Sequence, residues 1–173
     1  YERLLRRGIL QRCTALIDPF RLGYSIYRTF LRLENKRKKV RELWRTLAAH
    51  SHVYWLAECH GSCDLMFSML ATTPREFSDR QSSILSRFNS AIVSYDVRTI
   101  SDFKAFSKKH LTQECGSVRE VGQGTQAYQT NDVEDHILRE LARDSRTELE
   151  ELSQRIGVRT ATIRSRIERL LKS

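Results

Sequence analysis

Six residues near the C-terminal end bring charge and hydroxyl groups together at helical spacing: Arg159, Thr160, Arg164, Ser165, Arg169 and Lys172. Guanidinium, ammonium and hydroxyl donors on one helix suit phosphate oxygens and base edges. The chemistry they offer is recognition rather than bond breaking. The stretch that carries them, Thr147 to Lys172, reads as two short helices joined by a tight turn at Gly157. Thr147 and Glu150 have the spacing of a capping box, and Leu149, Leu152 and Ile156 form one apolar face. Gly157 closes that helix, because a left-handed residue costs glycine little. A second helix begins after Val158, with Thr160 as its cap and Ile163, Ile167, Leu170 and Leu171 as its buried stripe. This is a helix-turn-helix with a basic second helix, the arrangement that lays side chains into a DNA major groove. Two amphipathic helices around a glycine also describe an ordinary helical hairpin. The sorting of charge favours the former. The second helix carries Arg159, Arg164, Arg166, Arg169 and Lys172 against Glu168, while the first carries Glu148, Glu150 and Glu151. On this reading Arg159, Thr160, Arg164 and Ser165 face base edges or phosphates, Arg169 and Lys172 contact phosphate, and Arg166 is structural.

Other chemistry finds little support. Cys59-His60-Gly61-Ser62-Cys63 invites a metal, but zinc needs four ligands in a tetrahedron and no second Cys/His pair is spaced to complete one. No glycine-rich phosphate loop, HExxH or nucleophile elbow occurs. The expectation is therefore no enzyme, no cofactor and no metal. The four cysteines, Cys13, Cys59, Cys63 and Cys115, are scattered without a secretory signal, which favours reduced thiols and a cytoplasmic protein. No apolar run approaches the length of a membrane span.

The rest of the chain must position that helix-turn-helix. Its 173 residues, 40% hydrophobic, suffice for one large or two small domains. The net charge of +9 suits a polyanion partner. Residues 132–173 hold nine basic and nine acidic side chains, so the surplus lies upstream, notably at Lys36, Arg37, Lys38, Lys39, Arg41 and Arg45. Residues 1–7 read as the tail of a helix and 9–17 as extended, before Asp18-Pro19 breaks the chain. Tyr24–Leu33, rich in β-branched and aromatic residues, reads as a strand, and Lys36–His50 as a helix with Val40, Leu43, Trp44 and Leu47 on one face. Strands follow at His52–Cys59 and Asp64–Ala71 around a turn at Gly61, then a helix over Pro74–Phe88 and a strand over Ala91–Ile100. Strand–helix–strand–strand–helix–strand is the βαββαβ order of the ferredoxin-like fold. Its second sheet face would be open, holding residues such as Tyr27 or Trp55, and an exposed apolar face marks a partner surface, here a dimer. Residues 112–130 lack periodicity and read as a linker. Asn131–Asp144 is a helix capped by Asn131 with Glu134 three positions on, burying Ile137, Leu138 and Leu141. The fold class is α+β: a ferredoxin-like domain over 24–111, then a three-helix helix-turn-helix domain over 131–173.

One internal repeat stands out. Tyr1-Glu2-Arg3-Leu4-Leu5-Arg6-Arg7 matches Ile167-Glu168-Arg169-Leu170-Leu171-Lys172-Ser173 in pattern. Residues 1–23 thus read as the end of a preceding helix-turn-helix and a connecting strand, and the chain as one period of a tandem protein.

Both halves resemble the Lrp/AsnC (feast/famine) transcription regulators. The matching residues are Asp132, Asp135, Ile137, Leu138, Leu141, Asp144, Arg146, Glu151-Leu152, Gly157-Val158, Thr162-Ile163, Arg166-Ile167 and Arg169-Leu170. In the N-terminal part they are Gly8-Ile9, Ile17-Asp18-Pro19, Leu22-Gly23, Val53, Gly61-x-x-Asp64 and Val93. The family places a winged helix-turn-helix before the ferredoxin-like domain. Here the order is reversed, and the chain ends before the wing. The resemblance implies a homodimer or higher oligomer formed through the sheets, double-stranded DNA read by paired recognition helices, and no membrane. It also implies a small-molecule effector, such as an amino acid, near the Gly-x-x-Asp turn, which points to Gly61 and Asp64. Locally, Gly61 also permits a hairpin turn and Asp64 caps it. Siroheme decarboxylases share the two-domain build. Where they carry a His near the start of the second strand and Asn-Leu-Trp-Phe on the third, this chain has His52-Val53-Tyr54 and Asp64-Leu65-Met66-Phe67. A tetrapyrrole enzyme is therefore the alternative, and an assembly module without DNA binding is a third reading.

Overall fold

A computed structural model describes residues 1–35, 37–106, 119–122 and 126–172, apart from the side chains of Ala105 and Arg119. In chain order the elements are α1 (Glu2–Arg6), β1 (Ser25–Leu33), α2 (Arg37–Ala49), β2 (Val53–Glu58), β3 (Leu65–Ala71) and α3 (Pro74–Leu85). A 3-10 turn (Ser86–Ala91) leads to β4 (Ile92–Ile100), β5 (Asp102–Ala105) and β6 (Arg119–Gly122). Then come α4 (Asp132–Arg143), α5 (Leu149–Ile156) and α6 (Thr160–Lys172). The chain divides into two units. One spans Pro19–Ala127; the other joins Tyr1–Asp18 to Tyr128–Ser173.

In the Pro19–Ala127 unit the four-stranded antiparallel sheet has the order β2-β3-β1-β4, as the βαββαβ pattern requires. Alternate residues of β1 point to opposite faces. Tyr27, Thr29 and Leu31 turn to the helices: the core there gathers Leu43 and Leu47 of α2, Phe67 and Met69 of β3, and Phe77, Ile84 and Leu85 of α3. α3 starts on Thr73, whose Oγ1 accepts from the Glu76 N–H, with Pro74 in the first turn. The buried hydroxyl of Thr29 is not orphaned, because Gln81 Nε2 donates to it at 2.8 Å.

Tyr27 is not on the open face. Its ring stacks on Phe77 at 4.3 Å inside the core, because the odd-numbered residues of β1 are the ones that meet the helices. Trp55 does lie on the other face, for a reason that periodicity could not supply. The ladder shifts by one residue between Val53 and Trp55, so Trp55 opposes Ser68. A bulge of this kind inverts the facing of everything beyond it. That second face is also partly covered. β5 and β6 pair antiparallel, and Phe103 and Val121 pack with Phe20 over Ile26, Leu70 and Ile100. β6 lies within the 112–130 stretch expected to be a linker; residues 107–118 and 123–125 of that region, with Cys115, fall outside the description, as does Lys36.

In the other unit, α4, α5 and α6 close around Ile137, Leu152 and Ile163, each fully buried. The N-terminal segment belongs to this unit. The Ala15 N–H donates to the Leu141 carbonyl at 3.0 Å and the Ser145 N–H to the Cys13 carbonyl at 2.9 Å. Burial alternates accordingly: Cys13, Ala15 and Ile17 are partly buried, whereas Arg12, Thr14 and Leu16 are exposed. At its start the segment is held again, by Arg146 stacked 4.0 Å over the Tyr1 ring. Residues 13–15 thus add an extended strap beside the α4–α5 connection. Proline at position 15 has no N–H to give Leu141, so Ala15→Pro is expected to lower the melting temperature of this unit and to deprotect the Ser145 amide in hydrogen exchange. Unchanged protection at Ser145 would show that the strap does not hold.

Candidate nucleic-acid interface

The interface is built on α4, and α4 is built on its first turn. Asn131 caps the helix: its Oδ1 accepts from Glu134 N–H at 3.1 Å while Glu134 Oε2 accepts from Asn131 N–H at 3.2 Å. This is the capping box that the residue spacing predicts. Glu134 does more than cap. Its carboxylate is fully buried. Oε1 accepts from the Tyr128 hydroxyl at 3.1 Å and from Arg169 Nη2 at 2.6 Å, with Arg166 Nη1 at 3.7 Å. A buried carboxylate without partners is costly. Here the partners come from the N-terminal approach to α4 and from the far end of α6, so meeting that need fixes α6 against α4.

α5 is tied separately. Arg155 donates to Glu140 of α4 at 2.7 Å and to Glu151 at 2.6 Å, and Arg143 reaches the other Glu140 oxygen at 2.7 Å. The Arg155 hydrogen bond, with Arg143 beside it, holds the Glu140 carboxyl below the usual carboxylate range. α5 starts at Leu149 after Glu148, without a side-chain cap. Thr147 and Glu150 do not form a capping box, since the Thr147 hydroxyl donates instead to the Asp144 carbonyl at 2.9 Å. Gly157 ends α5 at φ 76°, and Ser153 Oγ donates to the Val158 carbonyl across the turn at 2.6 Å. α6 then begins at Thr160 itself. Thr160 is inside the helix rather than its cap, and the Arg159 carbonyl takes the N–H groups of Thr162 and Ile163.

On α6, Thr160, Arg164 and Ser165 line one open hollow of about 360 Å³, with Ala161 and Glu168. Arg159 and Lys172 are exposed at either end of the helix. Arg169 is the exception among the six. At a 100° turn per residue it lies about 140° from Arg164, though only about 40° from Ser165, and its guanidinium is spent on Glu134 and stacked against the Tyr128 ring. Arg166, expected to be structural, approaches the same carboxylate. Leu171 is 81% exposed and no part of the buried stripe. Sequence reading missed Glu134 as the anchor of α6. Its one local signal was an acid in a capping box with arginines 32 and 35 residues downstream, a separation over which helical periodicity carries no information.

In the other unit, Gly61 sits at φ 117° in the β2–β3 turn, and Arg32 Nη1 donates to its carbonyl. Asp64 Oδ2 accepts from the Leu33 N–H at 2.8 Å, and Arg32 lies 3.9 Å from Oδ1. A second 360 Å³ pocket beside this turn is lined by Asp64, Glu58, Cys59, His60, Asn35 and Arg37, among others, but not by Gly61. Cys13, Cys59 and Cys63 are free thiols. No group of three or more His, Cys, Asp or Glu side chains among the described residues is placed to hold a metal, and no helix among them is long and apolar enough to cross a membrane.

A buried-acid-anchored three-helix unit with an exposed polar helix face, in one chain with a ferredoxin-like sheet, defines a helix-turn-helix protein of mixed α+β build. The helix-turn-helix is of the AsnC type: residues 133–171 match the family model of the AsnC-type helix-turn-helix domain. The chain is 31% identical over 86 residues to an uncharacterized HTH-type transcriptional regulator of Pyrococcus abyssi, covering 50% of this chain and 52% of that protein. A second such regulator, from Pyrococcus furiosus, is 30% identical over 78 residues, covering 45% and 52%. The chain therefore spans about half the length of the curated relatives it matches. Among solved structures, the siroheme decarboxylase NirDL aligns with 99% of this chain and 50% of its own, at a TM-score of 0.67 and 15% identity. A transcriptional regulator from Neisseria meningitidis, in complex with L-Met, aligns with 57% of this chain and 64% of its own, at 0.51 and 15%. At such identities the likeness is one of fold alone, and it agrees with the α+β build described above.

Two outcomes are expected from the anchors. Arg169→Ala strips the shortest ion pair from a buried carboxylate and should destabilise the unit by on the order of 2 kcal/mol, whereas Arg164→Ala, exposed, should stay within about 0.5 kcal/mol; denaturant melts compare them. The lowered Glu140 carboxyl contributes stability above its unfolded titration range and loses it as pH falls through the lower folded value. Glu140→Gln should therefore lower the melting temperature at neutral pH, with the gap to wild type closing below about pH 4; an equal gap at both would contradict the assignment.

Proposed function

We propose that this chain works as a DNA-binding transcription regulator of the Lrp/AsnC type. Residues 131–173 form its DNA-binding domain and residues 24–111 its effector and dimerisation domain. The observation that carries the reading is the split of labour among the α6 cations. Arg166 and Arg169 are bound inward to Glu134, while Arg159, Arg164 and Lys172 point outward with Thr160 and Ser165, free to meet base edges and phosphates. A helix so fixed and so faced suits the major groove. The uncovered remainder of the second sheet face, with Trp55, Phe30, Arg28 and Arg98, is the surface we assign to pairing of copies, and the pocket beside Asp64 is the place for a small-molecule effector such as an amino acid.

A second reading keeps the sheet and gives it chemistry: a siroheme-decarboxylase-like enzyme acting on a tetrapyrrole. It is favoured by a fold likeness along nearly the whole chain and by His50 and His52, whose rings lie 5.7 Å apart at the entry to β2. Burial, then the charges of His52 and Arg80, push the His50 imidazole below its usual range, which favours a neutral ring able to accept a proton.

The test is duplex selection from a random-sequence pool, followed by affinity measurements with the chain and Arg164→Ala. Loss of a base-reading arginine should cost about 1–3 kcal/mol on the selected sequence and relax its specificity. Absence of duplex binding by the parent chain, together with a Soret shift on adding siroheme, would overturn the regulator in favour of the enzyme.

A further inference from the structure

We infer that α2 of the ferredoxin-like unit is a second contact surface for the DNA backbone, outside the recognition helix. This rests on the DNA-binding reading above. The starting point is a shortage. Among the described residues, α6 and its approach leave Arg159, Arg164 and Lys172 without an acid partner, the other two arginines being held by Glu134. Protein–DNA contacts of useful affinity at physiological salt neutralise about six to ten phosphates. Three cations on one recognition helix fall short of that, and the six of a pair reach only its lower end.

α2 carries four unspent cations among the described residues. Arg37, Lys38, Arg41 and Arg45 are all exposed, and none of them has an ion pair among the described residues. They line one hollow of about 540 Å³ together with Glu42, its sole acid. At 100° per residue the four fall within an arc of about 100°, opposite Leu43 and Leu47, which are sunk in the core. They form a stripe rather than a scatter, and the stripe stands on a helix that packing holds still. From Lys38 to Arg45 the stripe rises about 10 Å, against one phosphate per about 3.4 Å of axis on each strand. It therefore spans about three phosphates. Lys39, off the stripe, donates instead to the Ser90 hydroxyl. Trp44, 39% exposed, borders the stripe on its Arg37 side, but the stripe itself carries only guanidinium and ammonium groups, so it reads charge and not sequence.

The test is a salt series with the full chain on mixed-sequence duplex DNA, between about 50 and 200 mM salt, where each phosphate contact adds about 0.9 to the slope of log affinity against log salt. The variants are Lys38→Gln/Arg41→Gln/Arg45→Gln and, as control, Arg164→Ala; all sites are exposed and circular dichroism verifies the fold. The triple variant is expected to lose about two to three in slope, with its sequence preference intact, and Arg164→Ala at most about one. A triple variant with the parent slope, alongside an Arg164→Ala that has lost preference, overturns the α2 contact and leaves the regulator standing. A parent chain that binds no duplex overturns both. A triple variant unchanged on DNA but released from vesicles of anionic phospholipid would show that the stripe serves a membrane surface instead.

Discussion

One buried carboxylate organises the helix-turn-helix unit of this protein. Glu134 closes the first turn of α4 through its capping exchange with Asn131, made by Oε2, while its other oxygen, Oε1, accepts from both Tyr128 and Arg169. Remove any donor and the remaining lone pairs face a dry interior, where an unmet charge costs several kcal/mol. Such a site tolerates few arrangements of its partners. The angle at which α6 leaves α4 is therefore set by hydrogen-bond geometry as well as by the packing of Ile137, Leu152 and Ile163, which alone would permit sliding.

The ferredoxin-like unit obeys a different constraint. Its sheet is fixed by register, and register is fixed by which residues the helices can cover. The bulge ahead of Trp55 places that ring on the far face, where the Arg28 guanidinium stacks 4.8 Å above it while donating to Ser68. Arg98, directly opposite Arg28 in the ladder, sits over Phe30 and bonds Asp96. Like charges opposed across strands repel, and here each is relieved by an aromatic face and a local acceptor.

Much of the fold was legible in the residues. The six main-sheet and helix segments of the ferredoxin-like unit, the Asn131–Glu134 cap and the Gly157 turn all follow from local rules, with ends displaced by a residue or so, except that the helix expected over Pro74–Phe88 gives way to a 3-10 turn after Leu85. What escaped was non-local. Tyr27 was placed on the wrong face because alternation says that two faces exist but not which one the helices choose. β6 was hidden because a short strand paired with another short strand has no period to detect. Leu171 fits a stripe on spacing, yet in the last turn of α6 it is Arg169 and Leu170 that meet Glu134 and the helical core, and Leu171 faces solvent. Of the predicted recognition residues, Thr160, Arg164 and Ser165 share one hollow. Arg169 was drawn inward by an acid 35 positions earlier, a pairing that exists only once three helices have closed.

The strap at Cys13–Ala15 has a consequence for how the chain assembles. Its partners, Leu141 and Ser145, lie more than a hundred residues downstream, so this contact is among the most non-local in the molecule. On a ribosome the strap emerges before its dock, with the entire ferredoxin-like unit between them. An unstructured loop of that length would be slow to close. Once the intervening unit has folded, the effective loop is far shorter, and closure entropy falls with it, though only logarithmically. Folding order is thereby written into topology: the three helices can gather locally, but the domain that contains them is finished only by a segment made more than a hundred residues before them.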